Sequence, residues 1–66
     1  MLVLPGFCPD TTIYIKDARM ISAMEVYTGS EYNYITLYLT SGYLVTVKYE
    51  CKEELLKLME DSFSGV

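Results

Sequence analysis

Tyr34-Ile35-Thr36-Leu37-Tyr38-Leu39-Thr40 runs into Ser41-Gly42 and resumes as Tyr43-Leu44-Val45-Thr46-Val47-Lys48-Tyr49. Aliphatic and polar-aromatic side chains alternate on both sides of a turn glycine, which is the pattern of two antiparallel strands joined by a tight connection. The reading predicts strands over about 34–40 and 43–49. Ile35, Leu37 and Leu39 form one face of the first strand, and Tyr34, Thr36, Tyr38 and Thr40 the other. In the second, Val45 and Val47 point inward, leaving Tyr43 and Tyr49 at the rim. A chain of 66 residues has material to cover only one face of such a hairpin with its own helix. The tyrosine face is therefore expected to meet a second chain.

The pattern continues outward on both sides. Thr11-Thr12-Ile13-Tyr14-Ile15-Lys16 predicts a strand over 11–16, with Ile13 and Ile15 on one side and Thr12, Tyr14 and Lys16 on the other. A second strand is predicted over 20–27. There Ile21 and Ala23 set one phase and Met24 and Val26 the opposite one, the signature of a β-bulge. A short helix over 17–25 is the alternative. Thr28-Gly29-Ser30-Glu31-Tyr32-Asn33 reads as a polar loop with Gly29 available for positive φ. Residues 1–10 form an apolar arm in which Pro5 and Pro9 each remove a ladder donor, so any strand there is short or at an edge. From Cys51 the period changes. Leu55, Leu56, Leu58, Met59 and Phe63 follow helical spacing, predicting a helix over 52–62 and a frayed tail over 63–66. Glu53 and Glu54 suit its first turn electrostatically. The fold expected is thus α+β: one domain over 1–66, with a small antiparallel sheet of three to four strands and a C-terminal helix on one face.

Composition narrows the function. The formal charge is −4 and only five residues are basic, so phosphate neutralisation, which dominates nucleic-acid affinity, is not expected. There is no histidine and there are only two cysteines, too few ligands for a structural zinc site. The usual base–nucleophile pairs are also missing. Cys8 and Cys51 are expected as free, partly buried thiols. Glu50, Glu53 and Glu54, with Glu60 and Asp61, read as solvated charge rather than paired catalytic acids. The four glycines are isolated, so no phosphate-cradling loop is expected. The apolar start is too short to span a membrane and lacks the basic segment of a signal peptide, which predicts a cytoplasmic protein. No catalytic residue, metal or cofactor is assigned.

A domain this small hides only about 60% of the surface its unfolded chain exposes, and chains below roughly 70–80 residues usually need a staple or a partner. Seven tyrosines supply amphipathic rings of the kind enriched at interfaces. Tyr14, Tyr34 and Tyr38 share the outward phase of their strands. With the loop residues Glu31 and Tyr32, and with Tyr43 and Tyr49 of the hairpin, they are the candidate interaction residues. The expected partners are a second copy, giving a homodimer or higher oligomer, and a larger host protein.

The run from Thr12-Ile13-Tyr14-Ile15 through Met20-Ile21-Ser22-Ala23-Met24-Glu25-Val26 to the glycine-turned hairpin and closing helix resembles the flagellar FlbD-type proteins and many short phage proteins. The resemblance covers about Thr12 to Glu60. The chain departs from that pattern in its apolar arm, its excess of tyrosine and its longer Thr28–Asn33 loop. What the resemblance implies is a compact sheet-plus-helix fold and a non-enzymatic role in a bacterium or its phage. The functional expectation is a small acidic binding module, most concretely a phage- or bacterium-encoded inhibitor or adaptor acting as a homo-oligomer. A self-assembling virion or flagellar accessory, or a protein sequestering a nucleotide or other small molecule between subunits, is the alternative.

Overall fold

The computed structural model describes the backbone of residues 1–64 and the side chains of residues 1–61. Among the described residues five strands precede one helix: β1 (Leu2–Pro5), β2 (Thr12–Ile15), β3 (Ile21–Thr28), β4 (Asn33–Leu39), β5 (Leu44–Lys48) and α1 (Lys52–Ser64). A 3-10 turn at Ala18–Met20 leads into β3, and another at Tyr49–Cys51 leads into α1. The α+β architecture expected from the sequence is present, with its strands divided between two antiparallel sheets. One contains β1 and β2; the other has the order β3-β4-β5.

The division follows from the arm. Pro5 ends β1 opposite Thr12, and β1 pairs with the neighbouring β2 through Leu2–Ile15, Val3–Tyr14 and Leu4–Ile13. The strand expected over 11–16 therefore pairs with the arm instead of joining the main sheet. Asp10, at φ 63, turns the connecting loop; Asp is among the residues that tolerate the left-handed region. Where that loop begins, Gly6 bridges to Val47 of β5, and the Phe7 N–H donates to the Thr46 carbonyl at 3.0 Å. A Cβ at Gly6 would collide with the Thr11 side chain, so the tight β1–β2 connection favours glycine here.

β3 pairs with β4 from Thr28–Asn33 back to Ala23–Tyr38, and the register shifts between Ile21 and Ala23. The phase change in the sequence is thus a bulge at Ser22, whose hydroxyl donates to the Tyr38 carbonyl at 2.9 Å. Gly42, at φ 97, turns β4 into β5, and the Gly42 N–H donates to the Leu39 carbonyl. Gly29 differs from expectation. Its φ is not positive; glycine is needed there because a Cβ would come 2.7 Å from the Tyr27 ring.

The core contains Leu4, Ile15, Ile21, Ile35, Leu37, Val47, Cys51 and Leu55. The Ile35/Leu37 face is consequently covered by two elements, the β1–β2 hairpin and α1, where the sequence suggested the helix alone. α1 lies beside the Ala18–Met20 turn and sends Leu55 into the core, with Met59 packed against it. No side chain caps the turn that starts this helix, and Glu53 and Glu54 occupy the first helical turn. The helix runs two residues beyond the expected 62. The side chain of Phe63 and the last residues of the expected tail, 65 and 66, lie outside the described residues. No helix among the described residues is long and apolar enough to cross a membrane.

Candidate functional site

The face of the β3-β4-β5 sheet opposite the core carries Ala23, Glu25 and Tyr27 from β3. Tyr34, Thr36 and Tyr38 follow from β4, and Leu44, Thr46 and Lys48 from β5. None of these side chains belongs to the core, and strand alternation dictates the set. At the end of the sheet nearest the Gly29–Tyr32 turn, aromatic rings converge. Tyr27 and Tyr34 are cross-strand partners with ring centroids 4.8 Å apart. Phe7 lies 5.5 Å from the Tyr34 ring and meets Tyr32 edge-on at 6.4 Å. These separations fall in the attractive range for aromatic pairs, worth about 0.5–1.5 kcal/mol each beyond burial.

Each ring is placed by a different device. Phe7 reaches the outer face because Gly6 crosses the margin of β5. Tyr27 and Tyr34 are set opposite one another by the β3–β4 register. Tyr32 ends a tight turn in which the Gly29 N–H donates to the Tyr32 carbonyl at 2.8 Å, and the missing side chain of Gly29 lets the Tyr27 ring lie close. Phe7, Cys8, Tyr27, Tyr32, Tyr34 and Thr46 line an open concavity of about 570 Å³. Phe7 is 39% exposed, Tyr27 49% and Tyr32 62%. Their mutual contacts leave much of the ring surface wet, and no described side-chain hydrogen bond involves a tyrosine hydroxyl.

The sequence-derived candidates distribute unevenly. Tyr34 and Tyr32 belong to the cluster, and Glu31 sits exposed at the tip of the adjoining turn. Tyr38 shares the outer face but stands at the other end of β4, opposite Ala23 and Leu44. Tyr14 is on β2, paired with Val3 in the other sheet, so it does not share a face with Tyr34 and Tyr38. Tyr43 is 75% exposed beside the Gly42 turn. Tyr49 lies in the 3-10 turn before α1, with the Lys52 ammonium 5.7 Å above its ring. Phe7 and Tyr27 were not among the candidates. Tyr27 was accessible in principle, since closing the Thr28–Asn33 loop into a hairpin pairs it with Tyr34. For Phe7 the sequence carries no local signal.

Charge near the cluster is mixed: Glu25 and Glu31 on one side, Lys48 opposite Tyr34 on the other. Both cysteines are free, Cys8 exposed at the concavity and Cys51 in the core. Burial pushes the Cys51 thiol up, aided by Glu54 and Glu50, the opposite of what a thiolate nucleophile requires. Among the described residues no group of His, Cys, Asp or Glu is arranged to hold a metal ion. Chemically, the arrangement offers apolar contact, ring stacking and free phenolic hydroxyls. No family model, curated protein or solved structure matches the chain.

Proposed function

We propose that this chain is a non-enzymatic protein-binding module whose outer sheet face, centred on Phe7, Tyr27, Tyr32 and Tyr34, receives a segment of a larger protein. The supporting observation is the convergence of four partly exposed rings from three separate parts of the chain. The packed core lies on the opposite side of the sheet, so much of the surface of these rings is left to meet a partner. Aromatic side chains give large contact area at low conformational cost and dominate binding hot spots. An inhibitor or adaptor carried by a phage or bacterium suits an acidic domain of this size, because blocking a site requires only shape and contact.

Replacing Tyr27 and Tyr34 together with Ser tests the reading. A tagged wild-type chain retains a defined protein from its native host lysate, and the double variant loses it by tenfold or more while circular dichroism stays unchanged. The Tyr14→Ser variant, altered on the other sheet, retains it. Equal capture by all three forms would remove the outer face from consideration.

A second reading has its own observation. The concavity of about 570 Å³ lies in the roughly 300–1,000 Å³ range of small-molecule sites, and its aromatic lining suits a planar ring. A nucleotide or other planar ligand at a hundredfold excess over its Kd would stabilise the fold by about 2.7 kcal/mol. A thermal-shift screen detects that, and the Tyr27/Tyr34 variant abolishes it.

A further inference from the structure

The main sheet has two margins, and the chain treats them differently. Along β5 the arm is laid against the strand: Gly6 bridges Val47 and the Phe7 N–H donates to the Thr46 carbonyl. Along the outer side of β3 no strand among the described residues pairs. The orientation of the β3 backbone follows from one bond. The Gly29 N–H donates to the Tyr32 carbonyl, and in an antiparallel ladder such facing pairs recur at every second residue. Tyr27, Glu25 and Ala23 therefore direct their main-chain groups at β4. Met24, Val26 and Thr28 direct theirs away from it. The bond from the Leu39 N–H to the Tyr43 carbonyl fixes the same parity from the other side of β4. No hydrogen bond within the described residues engages the outward groups of Met24, Val26 or Thr28.

Apart from the charge of Glu25, this margin also lacks the usual guards. Edge strands are kept from pairing by Lys, Pro, bulges or brevity. β3 is eight residues long, has neither Lys nor Pro, and confines its bulge to Ser22 at the start. Met24 and Val26 face the core from this margin and remain half-exposed.

We propose that β3 is the dimerisation edge, pairing antiparallel with β3 of a second copy across a two-fold axis at Val26. Self-complementarity of the strand selects both the occupant and the register. In an antiparallel pair, opposed residues share a face, so a two-fold axis must pass beside a residue. Centring on Glu25 would oppose two carboxylates. Centring on Met24 would force Ser22, the bulged residue, against Val26. Centring on Val26 sets Glu25 opposite Tyr27 of the second copy on the outer face, where the phenol donates to the carboxylate. It also sets Met24 opposite Thr28 on the core side. Every outward N–H and C=O of Met24, Val26 and Thr28 then finds a partner. Both helices fall on one side of a continuous six-stranded sheet, and both aromatic clusters on the other. This interface goes beyond the binding role proposed for the cluster and does not depend on it.

Glu25 and Tyr27 of the second copy form a non-hydrogen-bonded pair, the closer spacing of the ladder. The Glu25→Cys/Tyr27→Cys chain in a Cys8→Ser background therefore oxidises to a covalent dimer that reductant dissolves. Glu25→Cys alone, in the same background, does not. The unaltered protein supplies the second measurement. The amides of Met24, Val26 and Thr28 gain hydrogen-exchange protection as concentration rises, while the exposed amides of Ser30 and Glu31 do not. Thr28→Pro removes an outward donor without deleting a β3–β4 hydrogen bond and weakens dimerisation by about tenfold or more. Crosslinking by Glu25→Cys alone would overturn the register. A unaltered chain that sediments as a monomer at millimolar concentration, with those three amides unprotected, would overturn the interface. A different protein protecting them in that monomer would show the edge serving another partner and would equally overturn it.

Discussion

At the scale of single residues, the contacts that matter are those where the chain passes close to itself. Gly6 and Gly29 sit where a Cβ would strike Thr11 and Tyr27, and both sites hold an aromatic ring in place. The ionic contact at Asp17 has a different character. Its carboxylate accepts hydrogen bonds from the Arg19 side chain and from the Arg19 backbone N–H, and these hold its pKa down to about 2 from 3.8. A carboxyl depressed in the folded state stabilises it above the ordinary pKa, and that contribution is lost as pH falls through about 2. Titration of the Asp17 carboxyl followed by NMR is expected to show this low midpoint, and Arg19→Ala to return it toward the ordinary value. Both groups are solvent-exposed, so global stability should hardly change. The sequence left Asp17-Ala18-Arg19 between two expected strands, or within a short helix, with no hint of the pairing. Whether two residues apart in sequence face each other depends on the local turn, and the periodic pattern is silent there.

Among the elements, alternation made β4, β5 and the bulge of β3 readable, because each has a core beneath one face. The opposite phases of Ile21/Ala23 and Met24/Val26 became a register shift, as the break in period requires. The helix was legible for the same reason: Leu55 and Met59 recur at its spacing. Alternation reports only which face a residue occupies, never which sheet. That is why Tyr14 was grouped with Tyr34 and Tyr38 although it lies on the hairpin. β1 was legible only as a short or edge strand, because Pro5 removes a ladder donor; its pairing with the neighbouring β2 was not. Phe7 was out of reach because its contact with Tyr34 is made by a crossing between distant segments. The helix lacks a side-chain cap at the turn where it begins, so it depends on packing. Leu55 is fully buried, and Leu55→Ala is expected to cost about 2–5 kcal/mol. Urea denaturation followed by circular dichroism measures this, and a loss below about 1 kcal/mol would show that the sheet and hairpin hold the core without α1.

For the whole molecule, the core spends its apolar residues on one side of the main sheet and leaves the aromatic side and one margin available. Each copy carries a formal charge of −4, so two copies repel at long range. The association proposed along β3 should strengthen with salt, since the screening length falls from about 10 Å at 0.1 M to about 3 Å at 1 M. Sedimentation across that range is the measurement. Weakening by salt would mean that ion pairs, not backbone ladders, join the copies. The arm crossing at Gly6 bears on how far such joining can go. Were both borders bare, units could add at either side without limit, as in a ribbon. With the N-terminal segment lying across part of one border, copies joined as proposed would present an obstructed strand on either outer side, and the Phe7 amide at that crossing would favour a closed pair over a ribbon.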